Sequence, residues 1–263
     1  MSELAVEGLR AERAAILEIA SGLSADEWAL PSDCAGWAVR DVLAHMASIL
    51  HGVADPALMP DVSGGTEAAM EAPVAERRTW PIEQVIEEYE TYSEQVVNIT
   101  AMAQQPPMSE TMLPLGDLGT HPMSILASTF TFDAYCHLRN DILRPYGPID
   151  RPEPPRDEKR LRPVVEWMLA GLPWMSEKEL TFVDRPIALT LEGPGGGTWT
   201  IGPVGKDSRV LVREDDDGAV AHVSSSDHDF VVWGTRRRPW RDFVKVEGDT
   251  EYASRVLDAV RIF

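Results

Sequence analysis

Apolar positions recur at helical steps through the first half of the chain and alternate with polar ones through much of the second. Leu9, Ile16, Ala20 and Leu23 place an amphipathic helix over residues 3–22, and Ser24 with Glu27 has the pattern of a capping box ahead of a short turn. Beyond a loop marked by Pro31, Asp33 and Gly36, the stretch WAVRDVLAHMASILHGV sets Val42, His45, Met46, Ile49 and Val53 on one face of a second helix. Residues 54–79 carry no clear period and read as a long connection. A third helix is predicted from Pro81 to about Gln104, with Ile82, Val85, Ile86, Tyr89, Val96 and Ile99 turned inward. After the loop QPPMSETMLPLGDLG, a fourth opens near Thr120, with Pro122 in its first turn, and runs to Leu143. Long helices joined by extended connections predict a four-helix bundle.

The stretch RPYGPIDRPEPPRDE, from Arg144, reads as a stiff proline-rich linker. A helix over about Lys159 to Ala170 follows, and then the alternating segments IALTLEG, GTWTIGP, SRVLVRE and AVAHVS, which predict antiparallel strands. SDHDFVVWGT predicts a short helix capped by Ser226 or Asp227, FVKVEG a further strand, and Asp249 the cap of a last helix reaching Val260. The fold class is therefore α+β, with a bundle over residues 1–147 and a smaller α+β domain over 148–263.

The apolar stripes are interrupted in a way that suggests chemistry. Asp133 and His137 lie four residues apart on the face that also carries Leu126 and Phe130, and His45 lies inside the stripe of the second helix. A buried polar group is costly without a partner. An Asp–His hydrogen bond across one turn, with His45 a satisfied core residue, is one solution. A metal ion bound by all three is the other, since two imidazole nitrogens and a carboxylate with an open position form a catalytic-zinc pattern that non-haem iron also uses. Asp41, one turn before His45, is either an acid favoured at a helix start or the acceptor for the second ring N–H of a metal-bound His45. His51 falls on another face and His228 at a helix start, and both are expected to be solvated. The basic run RRRPWR makes Arg236 and Arg237 candidate anchors for an anionic ligand, or else part of a solvated turn.

Composition narrows the partners. A formal charge of −19 argues against nucleic acid and anionic membranes. No apolar run is long enough to span a bilayer, and the N-terminal segment lacks the basic start and apolar block of a signal peptide, so a cytoplasmic location is expected. At 263 residues and 44% hydrophobic, the chain can build two real cores. The only cysteines, Cys34 and Cys136, give neither a disulfide framework nor a thiolate zinc site, and Cys136 reads as a small core residue.

The stretch CAGWAVRDVLAHM, with its Gly-Trp pair, Arg-Asp and a histidine four residues beyond the aspartate, resembles the signature of the mycothiol-dependent maleylpyruvate isomerase family. That family belongs to the DinB-like four-helix-bundle superfamily. DAYCHLRND resembles its second metal motif, and FVVWGTRRRPWRDFVKVEGD resembles its sterol-carrier-like C-terminal domain. The resemblance implies a divalent metal, usually zinc, on His45, Asp133 and His137. It also implies mycothiol as a low-molecular-weight thiol cosubstrate, with a small electrophile that is isomerised or S-conjugated. Two departures stand out. Asp133 occupies a position where the family generally has Glu, and Thr235 stands where the family's Trp-Gly-Arg has its arginine. A non-catalytic small-molecule carrier, or a DinB-like stress protein with a structural metal, is the competing reading. Oligomeric state is left open.

Overall fold

The computed structural model describes residues 2–262 apart from Ser63, Gly205, Lys206, Asp216 and Asp217. The chain forms two compact units. The first runs to Gly116 and resumes over Thr120–Pro155, and the second comprises Asp117–Gly119 and the chain from Arg156 onward.

The first unit is helical. Its long helices are α1 (Ser2–Ser21), α3 (Val39–Ala54), α6 (Ile82–Met102) and α7 (Leu126–Cys136), with the one-turn α2 (Ala25–Trp28) between the first two. Each long helix presents the stripe its sequence dictates. Ala5, Leu9 and Ile16, then Val42 and Met46, then Val85, Tyr89 and Val96, then Leu126, Phe130 and Ala134 all join one buried core. The capping box of α2 forms as its sequence predicts: the Ser24 hydroxyl accepts from Glu27 N–H, and the Glu27 carboxylate accepts from Ser24 N–H. The connection after α3 is not featureless. It holds α4 (Thr66–Ala69) and α5 (Glu71–Arg77), whose short apolar contribution, chiefly Met70 and Val74, gives too little periodicity to announce a helix.

Two corrections fall on the fourth helix. It starts at Leu126, not near Thr120, because Thr120–Pro122 is a strand (β2) paired antiparallel with Met112–Pro114 (β1). A proline that suits a first helical turn also suits a strand end, so local preference did not decide. At its other end the helix widens into a π-helical segment, His137–Ile142, in which Leu143 N–H reaches back to Leu138 C=O. The segment expected to be a stiff proline-rich linker then folds back on the bundle. Ile149 N–H donates to Ile142 C=O and Arg144 N–H to Ile149 C=O, and Leu143 and Ile149 are buried. Gly147 is required in this turn, because a Cβ there would lie 2.3 Å from the carbonyl carbon of Ile142.

The second unit is α+β. It contains α8 (Glu158–Met175), β3 (Ile187–Glu192), β4 (Gly197–Val204), β5 (Asp207–Arg213), β6 (Ala221–Ser226), α9 (Asp227–Gly234), β7 (Lys245–Gly248) and α10 (Thr250–Ala259). The strands form one sheet in the order β5-β4-β3-β6-β7. The expectation of a wholly antiparallel sheet fails at its centre, where β3 and β6 are parallel. The registers explain why. Val212 of β5 pairs with Ile201, Ile201 with Ile187, and Ile187 with Ala221 of β6. The chain therefore leaves β5 and enters β6 at the same end of the sheet, and β6 runs alongside β3. Ser226 and Asp249 cap α9 and α10 by accepting from Asp229 N–H and Tyr252 N–H.

Candidate metal centre

His45 from α3, Asp133 from α7 and His137 at the first residue of the π-helical segment meet inside the bundle. The Asp133 Oδ1 lies 3.5 Å from His45 Nε2 and 3.5 Å from His137 Nε2. The two rings stand edge to face with centroids 4.9 Å apart. One donor atom from each residue lies within 4.8 Å of the others. These separations are long for charge-assisted hydrogen bonds. They are close to the edge of a tetrahedron with metal–ligand bonds near 2.1 Å, which is about 3.4 Å. The donor set therefore fits a divalent ion.

Electrostatics couple the three groups tightly. Burial weakens His45 as a base, and despite the neighbouring Asp133 its pKa falls below the ordinary histidine value, leaving a neutral ring. Burial also opposes charge on His137, but the Asp133 carboxylate outweighs it and raises that pKa well above the usual range. Burial disfavours a charged Asp133, yet the two histidines overcome it and hold the carboxyl well below its ordinary value. Without an ion, a proton on His137 supplies the positive charge this carboxylate needs.

The surroundings differ from the sequence expectation in an instructive way. Asp41 does not accept from His45. Its Oδ2 accepts from Ala38 N–H at 3.1 Å and from Arg78 Nε at 3.2 Å. Helical side chains lean toward the N-terminus, so an acid one turn before His45 folds back on its own helix start. His45 Nδ1 is buried with no hydrogen-bond partner among the described residues. Its near neighbour is the Trp37 ring, 5.1 Å away between centroids. Trp37 is itself held by an Nε1–H donated to Glu71 Oε2 at 2.9 Å, and Glu71 also accepts from Arg78 at 2.7 Å. The Asp41 carboxylate is thus linked to the His45 ring through Arg78, Glu71 and Trp37.

The orienting carboxylate sits on the other histidine. Asp141 Oδ2 lies 2.7 Å from His137 Nδ1, and Asp141 is buried. A carboxylate on the second nitrogen fixes which nitrogen faces the ion and makes it a better donor. Cys34 Sγ also approaches that nitrogen, at 3.9 Å. Asp141 was legible as an acid near the motif but not in this role, and Cys34 carried no sequence signal for it.

The other charged residues lie elsewhere. Glu12, a buried acid of α1, accepts hydrogen bonds at both oxygens from Arg139. His51 is not simply solvated. It is half-buried, 2.7 Å from Glu88 Oε1 and stacked on Tyr92, and Glu88 also takes two bonds from Arg77. In the second unit His228 is buried rather than solvated, because α9 starts against the turn between β3 and β4 that carries Gly195. Asp227 there accepts from Gly195 N–H and His228 N–H, and burial pushes its pKa up. Arg236 does not stand ready as an anion anchor. Its guanidinium bonds the carbonyls of Asp258, Ala259 and Val260 at the end of α10. Thr235 is buried, with its hydroxyl donated to Val231 C=O, so it does not stand in for an arginine. Arg237 is half-buried.

Fold and donor set define a helical-bundle protein with a two-histidine, one-carboxylate centre, continued by an α+β domain. Residues 9–127 match the family described as mycothiol maleylpyruvate isomerase N-terminal domain, so the bundle carries a domain of that family. Two solved structures share its fold. One is a crystal structure of the mycothiol-dependent maleylpyruvate isomerase, with TM-score 0.57, 14% identity, and 94% of this chain and 93% of that chain covered. The other is a histidine-to-alanine mutant of the same enzyme, with TM-score 0.56, 14% identity and the same coverage. No curated protein sequence matches the chain.

Proposed function

We propose that His45, Asp133 and His137 hold a divalent metal ion, zinc being the ion the donor set suits, and that the protein uses mycothiol as a nucleophile toward a small electrophile. The observation that carries this reading is the set of three donor atoms within 4.8 Å of one another in the core of a bundle of this family. Bound there, the ion supplies acidity, letting a thiol exist as thiolate at neutral pH. The chain's own residues do the rest. His45 Nε2, His137 Nε2 and one Asp133 oxygen would hold the ion, and a set of three protein donors would keep its fourth position for a sulfur ligand. Asp141 holds the His137 ring by its Nδ1–H, and the Trp37 ring lies beside His45. A thiolate that adds to an electron-poor carbon–carbon double bond forms a C–S bond as the π pair moves onto the adjacent electron-withdrawing group. Rotation about the resulting carbon–carbon single bond and return of that pair to expel the thiolate complete an isomerisation, whereas protonation of the anion by water gives a conjugate.

The test is direct. Elemental analysis of protein made with zinc, iron and nickel available is expected to find about one divalent ion per chain. Mass spectrometry after incubation with mycothiol and a panel of electrophiles is expected to reveal an isomer or an S-conjugate whose formation stops on chelation. Turnover that survives complete metal removal would refute the reading, and tight binding of an apolar ligand indifferent to chelation would favour a carrier instead. Asp141→Asn is expected to keep the fold and weaken metal binding roughly 10- to 100-fold, because the amide positions the His137 ring without the carboxylate's charge. Calorimetric titration of the metal-free variant reads this, and an unchanged affinity would leave Asp141 a packing residue. Asp41→Asn, which alters an acid bonded to Ala38 and Arg78, is expected to leave the affinity within a few-fold.

A further inference from the structure

The His137 ring faces two different donor sets. Its Nε2 turns to Asp133 and the centre described above, while its Nδ1 turns to Asp141 and Cys34. Cys34 Sγ, a ring nitrogen of His137 and a carboxylate oxygen of Asp141 also lie within 4.8 Å of one another. We propose that Cys34, His137 and Asp141 form a second, thiolate-containing cation position that takes a thiophilic ion through His137 Nδ1. It competes for this histidine with the ion held through Nε2.

Several features make the cluster more than a cysteine that happens to be close. The loop carrying Cys34 is closed by its own hydrogen bonds: Ser32 N–H to Trp37 C=O, Trp37 N–H to Cys34 C=O, and Cys34 N–H to the Ser32 hydroxyl. It is also tied to the segment bearing the other two residues, through Asp33 N–H to Asp141 C=O at 3.1 Å. The thiol is therefore fixed against the π-helical segment. Cys34 is half-buried, so an ion has a route to it, whereas Cys136 is buried and accepts from Asn140.

Charge and softness favour a different ion from the first centre. A thiolate with a carboxylate carries two negative charges and neutralises a divalent ion, while the first set offers only Asp133. Thiolate sulfur prefers Cd²⁺, Cu⁺ and Zn²⁺ to harder ions. Competition follows from the imidazole. The neutral ring has one lone pair and one N–H, so it serves one ion at a time unless it also loses the second proton. An ion on Nδ1 puts the proton on Nε2, facing Asp133, and removes a donor from the first centre. The competition rests on the function proposed above, but the existence of the second position does not.

The experiment uses the metal-free full chain, titrated with Cd²⁺ and followed by the ultraviolet sulfur-to-metal charge-transfer band, with Co²⁺ as a probe of the nitrogen–oxygen set. Wild-type protein is expected to develop the band with about one equivalent of Cd²⁺ and to release bound Co²⁺ as it does so. Cys34→Ser should lose the band, bind Cd²⁺ more than about tenfold more weakly and still bind Co²⁺. His45→Ala and Cys136→Ala should keep the band, and His137→Ala should weaken both ions. Absence of the band in wild type, its survival in Cys34→Ser, or its loss in His45→Ala would each overturn the proposal, the last by placing the thiolate at the first centre. If Co²⁺ fails to bind while the Cd²⁺ band follows Cys34, the second position stands and the proposed function falls.

Discussion

Replacing His137 with alanine is expected to abolish stoichiometric metal binding and to lower thiol-dependent turnover by roughly a thousandfold. That figure is the several kcal/mol a bound ion contributes to stabilising charge in a transition state, converted at about 1.4 kcal/mol per factor of ten. His137 is the residue on which the centre turns: its Nε2 faces Asp133, its Nδ1 takes Asp141, and its ring packs against His45. His45→Ala should lose metal as well. Asp133→Asn keeps the shape but removes the only negative charge among the three donors, and it is expected to weaken metal binding severely. Asp133→Glu, which restores the family's longer acid, should retain the ion. His51→Ala is the contrasting case. It should keep the metal and instead cost some stability, because His51 is paired with buried Glu88. Metal content by elemental analysis and rates with mycothiol would separate these outcomes. A His51 variant without metal, or a His137 variant with a full complement, would place the centre elsewhere.

Arg139→Met is expected to destabilise the bundle by about 3–5 kcal/mol. Arg139 lies two residues beyond His137, with its side chain only 1% exposed. It donates from both terminal nitrogens to the fully buried Glu12 carboxylate on α1, and its guanidinium lies 3.8 Å over the Tyr135 ring. Removing the arginine leaves a buried carboxylate without the guanidinium that holds both its oxygens. The double variant Glu12→Leu with Arg139→Met removes both charges, and it should recover much of the loss, since an apolar replacement of a buried pair is often neutral. Denaturant unfolding of the bundle, read alongside metal content, tests this. At roughly 2–4 °C per kcal/mol for a protein of this size, the single variant should melt on the order of 10 °C lower. If the double variant were no more stable than the single, the pair would be stabilising the fold by more than mutual neutralisation. The same pair fixes α1 against the π-helical segment, so the single variant should also loosen the geometry around His137.

Periodicity settled what belongs to one element. The stripes of α1, α3, α6 and α7 could be read directly, and with them the fact that His45, Asp133 and His137 interrupt apolar faces, because a helix brings residues three and four apart to one side whatever surrounds it. The capping box of α2 and the caps of α9 and α10 were legible for the same reason: they are contacts within a few residues. Where the local signal was compatible with two states, tertiary pairing chose. Thr120–Pro122 became a strand because Met112–Pro114 lies beside it, and β6 lies parallel to β3 because the registers of β4 and β5 return the chain to the same end of the sheet. The partners of the centre were beyond the sequence altogether. An acid one turn before His45 and an acid one turn after His137 look alike as letters. Yet Asp41 folds back on Ala38 and Arg78, while Asp141 meets the Nδ1 of His137. Cys34 comes from a loop 103 residues away. A sequence fixes which side of a helix a residue occupies. Which atom of another element lies opposite depends on how the helices pack, and that is where Cys34, Glu12 and Trp37 were assigned their partners.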